Sequence, residues 1–202
     1  SGLLGAERLC GSESGGARTL TKNGVGGVYI NNSGNIYSGG TILNAGEIQF
    51  STSFAFGTGP LTVNGGSLVA RTASRTLTNS MTVGGDFTFN GANAGGNSLT
   101  LSGNVDLGAA TRTITVASTA NPSAYMTGII SGGNPSVGLI KAGASTFNIS
   151  GANTCCGDTR IVAGTLQLSP STWALTGTSR SLQNRTVDLN ATDAGTLSFR
   201  GS

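Results

Sequence analysis

Leu139-Ile-Lys-Ala-Gly-Ala-Ser-Thr-Phe-Asn-Ile-Ser-Gly-Ala-Asn-Thr154, continued by Gly157-Asp-Thr-Arg-Ile-Val-Ala-Gly-Thr-Leu-Gln-Leu-Ser169, has a counterpart earlier in the chain, Leu20 to Ser51. Lys22 and Gly24 match Lys141 and Gly143, and Ile30 matches Ile149. With one residue gapped out, Asn35 falls on Asn153, Gly39 on Gly157 and Thr41 on Thr159. Ala45-Gly46 then falls on Ala163-Gly164, Gln49 on Gln167 and Ser51 on Ser169. Apolar pairs fill the gaps: Val28 with Phe147, Leu43 with Ile161, Ile48 with Leu166 and Phe50 with Leu168. An internal repeat of short apolar runs is the signature of stacked architectures, in which each unit buries its apolar side only against its neighbours.

Working outward, similar runs recur along the whole chain. Thr41-Ile42-Leu43, Leu61-Thr62-Val63, Met81-Thr82-Val83, Leu99-Thr100-Leu101 and Thr196-Leu197-Ser198-Phe199 alternate apolar with small polar residues. That is the period of a half-buried strand. Turn signals separate the runs, among them Asn23-Gly24, Gly39-Gly40, Asn64-Gly65-Gly66, Gly84-Gly85 and Gly95-Gly96-Asn97. No helical period is sustained. Short strands at this spacing suit a sandwich, a barrel or a solenoid, and the repeat selects the solenoid. The expected architecture is all-β: a right-handed parallel β-helix whose coils take roughly 20 to 24 residues, giving about nine coils and a rod of roughly 40 to 45 Å. Residues 17–202 form one repeat domain, and residues 1–16 read as a segment folding over the first coil. The chain starts at Ser1 rather than Met and reads as a fragment of a longer protein.

Composition agrees. Glycine supplies 34 residues, charged residues only 9% and aromatic residues 5%, which suits thin layers joined by tight corners rather than a disordered linker. Eleven Lys and Arg residues are scattered without a run, unlike the clustered basic faces of nucleic-acid binders. The absence of His removes the commonest metal ligand and general base. No apolar stretch approaches the length of a membrane-spanning helix, so this segment carries no such insertion. Cys10, Cys155 and Cys156 are too few for a disulfide framework. They read as free or partly buried thiols, with a strained vicinal bridge or an intermolecular bridge as alternatives.

Leu139 to Leu168 resembles an autotransporter-associated β-strand repeat, with Leu20 to Ser51 as a second copy. Phe56-Gly-Thr-Gly-Pro-Leu-Thr-Val-Asn-Gly-Gly-Ser-Leu68 looks like that family's usual continuation, as does Gly84 to Phe89 through Asn104 to Leu107 and Thr111 to Val116. The resemblance covers roughly residues 15 to 200. It implies a large, exported, repeat-built bacterial passenger with a β-helical fold, located outside the cell or on its surface. The repeats of such proteins are structural, in a stalk, adhesin or fibre. Cys155-Cys156 departs from the pattern, standing where Tyr37-Ser38 stands in the first copy.

Many β-helices process polysaccharides, so a catalytic alternative has to be located. Glycoside cleavage needs paired carboxylates about 5 to 10 Å apart. Asp86 and Asp106, expected one coil apart, are the best pair, with Arg112 as the base of a lyase. The competing reading is that both aspartates cap turns beside Gly85 and Asn104. Asp188 and Asp193 flank Asn190 and offer a cation site against an ordinary solvated turn. The preferred reading has no catalytic residues, no cofactor and no metal. Threonine runs such as Thr111-Arg112-Thr113-Ile114-Thr115 are interrupted by Arg112 and suit ordinary strand surfaces better than ice or glycan arrays. Asn31, Asn148, Asn184 and Asn190 open glycosylation sequons, which carry no weight in a bacterial protein. The expected partners are a glycan or host surface and further copies of the chain, docked head to tail through open coil ends near Leu197 and Phe199.

Overall fold

A computed structural model describes residues 4–5, 16–91, 94–118, 124–132, 137–155, 157–168, 187–188 and 192–199. Cys10, Cys156, Asn184 and Asn190 lie outside the described residues, as does most of the segment expected to cover the first coil.

Every strand pairs in parallel with the equivalent strand one coil away, and the strands form three sheets. Face 1 has nine strands, from Leu4–Gly5 at one end to Val187–Asp188 at the other. Face 2 has six strands, from Leu20–Lys22 to Ile130–Ser131. Face 3 also has six, from Arg75–Leu77 to Ala194–Phe199. The fold is a parallel β-solenoid.

The coils number about seven rather than nine. The first coils are short: Val28 pairs with Ile48 and Ile48 with Leu68, 20 residues per coil. The middle coils are longer: Phe87 pairs with Ile114 and Ile114 with Lys141, 27 residues per coil. Loops such as 90–98 consume chain without adding a coil. At about 4.8 Å per coil, seven coils span roughly 34 Å.

Alternation decides what faces the axis. Leu43, Val63 and Val83 stack on face 2, Ile48 and Leu68 on face 1, and Leu101 and Met126 on face 3, all essentially inaccessible to water. The aromatic residues interlock across the interior: the Phe50 and Phe56 rings meet edge-on at 5.1 Å, and Phe89 meets Phe147 at 6.3 Å. Each such side chain contributes roughly 1.5 to 3 kcal/mol on burial, so this stack supplies most of the driving force.

The corners demand glycine. Gly24, Gly46 and Gly66 occupy equivalent positions between faces 2 and 1 at φ values of 72°, 78° and 79°, a region that costs other residues roughly 1 to 2 kcal/mol. Gly143 and Gly164 do the same between faces 1 and 3, at 78° and 69°. Asparagines flank the first corner as a ladder: Asn44 Nδ2 donates to Asn23 Oδ1 at 2.6 Å, and Asn64 Nδ2 to Asn44 Oδ1 at 2.8 Å.

Candidate functional site

The three residues proposed for catalysis are brought to one stretch of the solenoid, but each is occupied with backbone. Asp106 stacks in register on Thr82 and Ser131, not on Asp86. Its Oδ1 accepts from Gly108 N at 2.8 Å, closing its own turn. Asp86 Oδ1 accepts from Thr113 N at 2.8 Å, tying its turn to the next coil. Arg112 lies in register with inward-facing Leu139, and its Nε donates to Leu107 O at 3.1 Å. Asp86 and Asp106 thus act as turn caps, each through one carboxylate oxygen, and Arg112 braces a neighbouring carbonyl.

Of the residues proposed for a cation site, Asn190 and the Asp188 side chain lie outside the described residues, and Asp193 is held by an arginine. Arg160 grips Asp193 with two parallel bonds, Nε to Oδ2 at 2.8 Å and an Nη to Oδ1 at 2.9 Å. This bidentate pairing holds the Asp193 carboxyl below its ordinary range. Both oxygens are therefore committed to a guanidinium.

Two lysines that sequence reasoning aligned but gave no role form the most elaborate polar arrangement. Lys141 points inward, stacked between Ile114 and Ile161, and is fully buried. Its stem continues the apolar column. Its Nζ turns into the corner and donates to Ala142 O at 2.7 Å, Gly143 O at 2.6 Å and, from the next coil, Ala163 O at 3.0 Å. Lys22 makes the same three bonds, to Asn23 O at 2.8 Å, Gly24 O at 2.7 Å and Ala45 O at 3.1 Å. All three ammonium protons are used in each case. Burial pushes the Lys141 amine down to about 8, because a low-polarity interior disfavours the charged form.

The repeat's third side is irregular and is held by asparagine. Asn35 Nδ2 donates to Ala55 O at 2.9 Å, and its counterpart Asn153 accepts from Ile130 N at 2.8 Å. Tyr37 is buried there, its hydroxyl 2.6 Å from Thr41 Oγ1. Burial raises its pKa. Cys155 takes the place of this ring and packs partly buried against the core.

Comparison with known proteins points the same way. The passenger-associated-transport-repeat profile matches residues 20–50 and 139–168. The chain carries two passenger-associated-transport repeats. It is also similar to the protein named Adhesin BmaC autotransporter of Brucella suis biovar 1 (strain 1330), 31% identical over 191 residues. That alignment covers 93% of this chain but only 5% of the Brucella protein. No solved structure matches significantly.

The two passenger-associated-transport repeats coincide with the two lysine corners. They do not sit on the same sides of the solenoid. The first repeat runs face 2, face 1, face 2, face 1, with its corner between faces 2 and 1. The second runs face 1, face 3, face 1, face 3, with its corner between faces 1 and 3. The motif is therefore a portable corner: inward Lys, positive-φ Gly, outgoing strand, irregular third side. The signal was present in the sequence. A lysine recurring at one repeat position, in a chain with only 11 basic residues, is unlike a solvated surface lysine.

Proposed function

We propose that this chain is a non-catalytic, load-carrying segment of a large exported bacterial surface protein, a stalk or adhesin spacer displayed outside the cell. The observation that carries the reading is the continuous nine-stranded face over an interior that, among the described residues, is largely apolar apart from the Lys141 corner, with four of the nine strands supplied by the two segments that match the passenger-associated-transport repeat. The Brucella relative is named an adhesin and an autotransporter, which supports surface display. The commitment of Asp86, Asp106 and Arg112 to backbone groups argues against polysaccharide cleavage. Rigidity follows from the architecture. Parallel ladders on three sides tie each coil to the next, and the Lys22 and Lys141 corners reinforce two of these junctions, so bending would break several bonds together.

Among the described residues Ala194–Phe199 is the outermost strand of face 3, and strand edges left unpaired recruit other strands. Isolated copies are accordingly expected to associate head to tail. The test combines electron microscopy with light scattering over a concentration series and an activity screen on polyuronates. Rods that lengthen with concentration and leave the polymers intact support the reading. Cleavage that disappears in the Asp86→Asn, Asp106→Asn double variant would overturn the non-catalytic assignment. Particles that stay monomeric at every concentration would overturn the association.

A further inference from the structure

The corner of the first repeat holds an asparagine whose side-chain carbonyl and whose following peptide bond are both polarised. Asn23 and Gly24 are exposed. Asn44 Nδ2 donates to Asn23 Oδ1 at 2.6 Å. Lys22 Nζ donates at 2.8 Å to Asn23 O, the carbonyl oxygen of the Asn23–Gly24 peptide bond. Asn23 Nδ2 makes no hydrogen bond among the described residues. Gly24 has no side chain to shield its N–H, and no atom lies within 4 Å of where a Cβ would stand.

These contacts suit one reaction. When the Gly24 N–H loses its proton to hydroxide, the negative charge is shared with Asn23 O, which the Lys22 ammonium holds. When Gly24 N then attacks Asn23 Cγ, charge gathers on Asn23 Oδ1, which the Asn44 amide holds. Both atoms that become negative already face a donor.

We propose that Asn23 is a self-modifying site, at which the corner promotes closure of Asn23 onto the Gly24 nitrogen as a succinimide. The bond from Gly24 N to Asn23 Cγ forms and the Cγ–Nδ2 bond breaks. Nδ2 takes a proton from water and leaves as ammonia. Water then opens the imide at one carbonyl or the other, giving aspartate or isoaspartate. Hydroxide and water are the only co-reactants. The aspartate product fits the corner, because its carboxylate still accepts from Asn44 Nδ2 and gains the Lys22 ammonium as a neighbouring cation. The isoaspartate product lengthens the backbone of the corner by one carbon. Either product adds a negative charge to the edge between faces 2 and 1.

The chain has three Asn-Gly pairs, and the structure separates them. At Asn64-Gly65, Val63 stands in register where Lys22 stands, and the amide that would leave is tied to Asn44 Oδ1 at 2.8 Å. Asn90 is fully buried and its Nδ2 donates to Asn97 O at 2.7 Å. The Lys141 corner has Ala142 in place of Asn23 and no amide to react. Asn23 alone among these positions combines exposure, an unhindered glycine, a lysine on the peptide carbonyl and a donor on Oδ1.

The experiment incubates the 202-residue chain at mildly alkaline pH, folded and in urea. Peptide mapping by mass spectrometry follows each Asn-Gly pair, and enzymatic methyl transfer quantifies isoaspartate. Ordered structure restrains a local reaction that needs the backbone to move, so Asn64 and Asn90 should react more slowly folded than in urea. Asn23 should react faster folded. In the folded chain Asn44→Ala should slow Asn23 by about tenfold, through loss of the donor on the developing oxyanion. A merely structural role for Asn44 predicts the opposite, because loosening the corner would speed the reaction. Lys22→Met should slow Asn23 as well. Circular dichroism reports folding, and Asn44→Ala, altered only at an exposed side chain, carries the test should Lys22→Met unfold. Three results overturn the proposal: Asn23 reacting more slowly folded than in urea, an undiminished rate in folded Asn44→Ala, or cleavage of the chain after Asn23, which would make Nδ2 the nucleophile. None of these readouts involves rod shape or polymer cleavage, so this inference fails or stands apart from the stalk reading.

Discussion

Replacing Lys141 by Met tests the corner most directly. Methionine keeps the stem that stacks between Ile114 and Ile161 but removes the ammonium. Three carbonyls lose a donor: those of Ala142, Gly143 and Ala163. The Ala142 oxygen keeps a second partner, Val116 N at 2.9 Å, so the loss falls mainly on the other two. At roughly 1 to 3 kcal/mol for each buried acceptor left unmade, the cost is about 2 to 6 kcal/mol. Against it stands the penalty of burying the charge. The fall from 10.5 to about 8 corresponds to at most about 3.4 kcal/mol, less whatever solvent near the corner screens. At the centre of that range the lost bonds win, and Lys141→Met should destabilise the chain by about 1 kcal/mol at pH 7. The pH dependence has a definite sign. Because the folded amine holds its proton less tightly than the unfolded one, the wild-type chain gains stability as pH rises from about 8 to 10.5. The methionine variant lacks that gain, so the gap between the two should widen over this range. Urea unfolding followed by circular dichroism at pH 7 and pH 9.5 measures both quantities. A variant as stable as wild type, or a gap that narrows with pH, would refute the reasoning.

Other expectations follow from single positions. Gly46→Ala should cost about 3 kcal/mol or more, because φ is +78° and the new methyl would strike the Gly24 and Gly26 carbonyls and lie 2.6 Å from Lys22 Nζ. Gly24→Ala, at φ +72° with nothing within 4 Å, should cost only about 1 kcal/mol, and equal thermal shifts for the two would contradict the stacking argument. Asp86→Ala should lose about 1 kcal/mol, the worth of a cap on Thr113 N, read from its urea midpoint. Asp193→Asn should flatten acid unfolding. A carboxyl held low contributes stability above its unfolded value of 3.8 and loses it as pH falls below that, so an unchanged acid titration would show that the Arg160 pair is inconsequential.

The sequence by itself determined the strands, the corners and the repeat. Thr41-Ile42-Leu43 and Leu61-Thr62-Val63 alternate with period two, which places Leu43 and Val63 inward whatever surrounds them. Gly24, Gly46 and Gly143 announced positive φ through local sterics alone. These features depend on neighbours a few residues away, so they survive translation into structure. The tertiary structure alone decided which face each strand occupies. That depends on the summed lengths of all preceding coils, and no local pattern distinguishes the 20-residue coil of Ile48 from the 27-residue coil of Ile114. The same accumulation carried the second repeat one face around the axis and slid Asp106 onto Thr82 instead of Asp86. It also decided the meaning of Lys141. Its period-two position assigned the stem to the interior, but its ammonium could be satisfied only by a carbonyl 22 residues later, Ala163 O. That contact comes into existence only when one coil closes on the next.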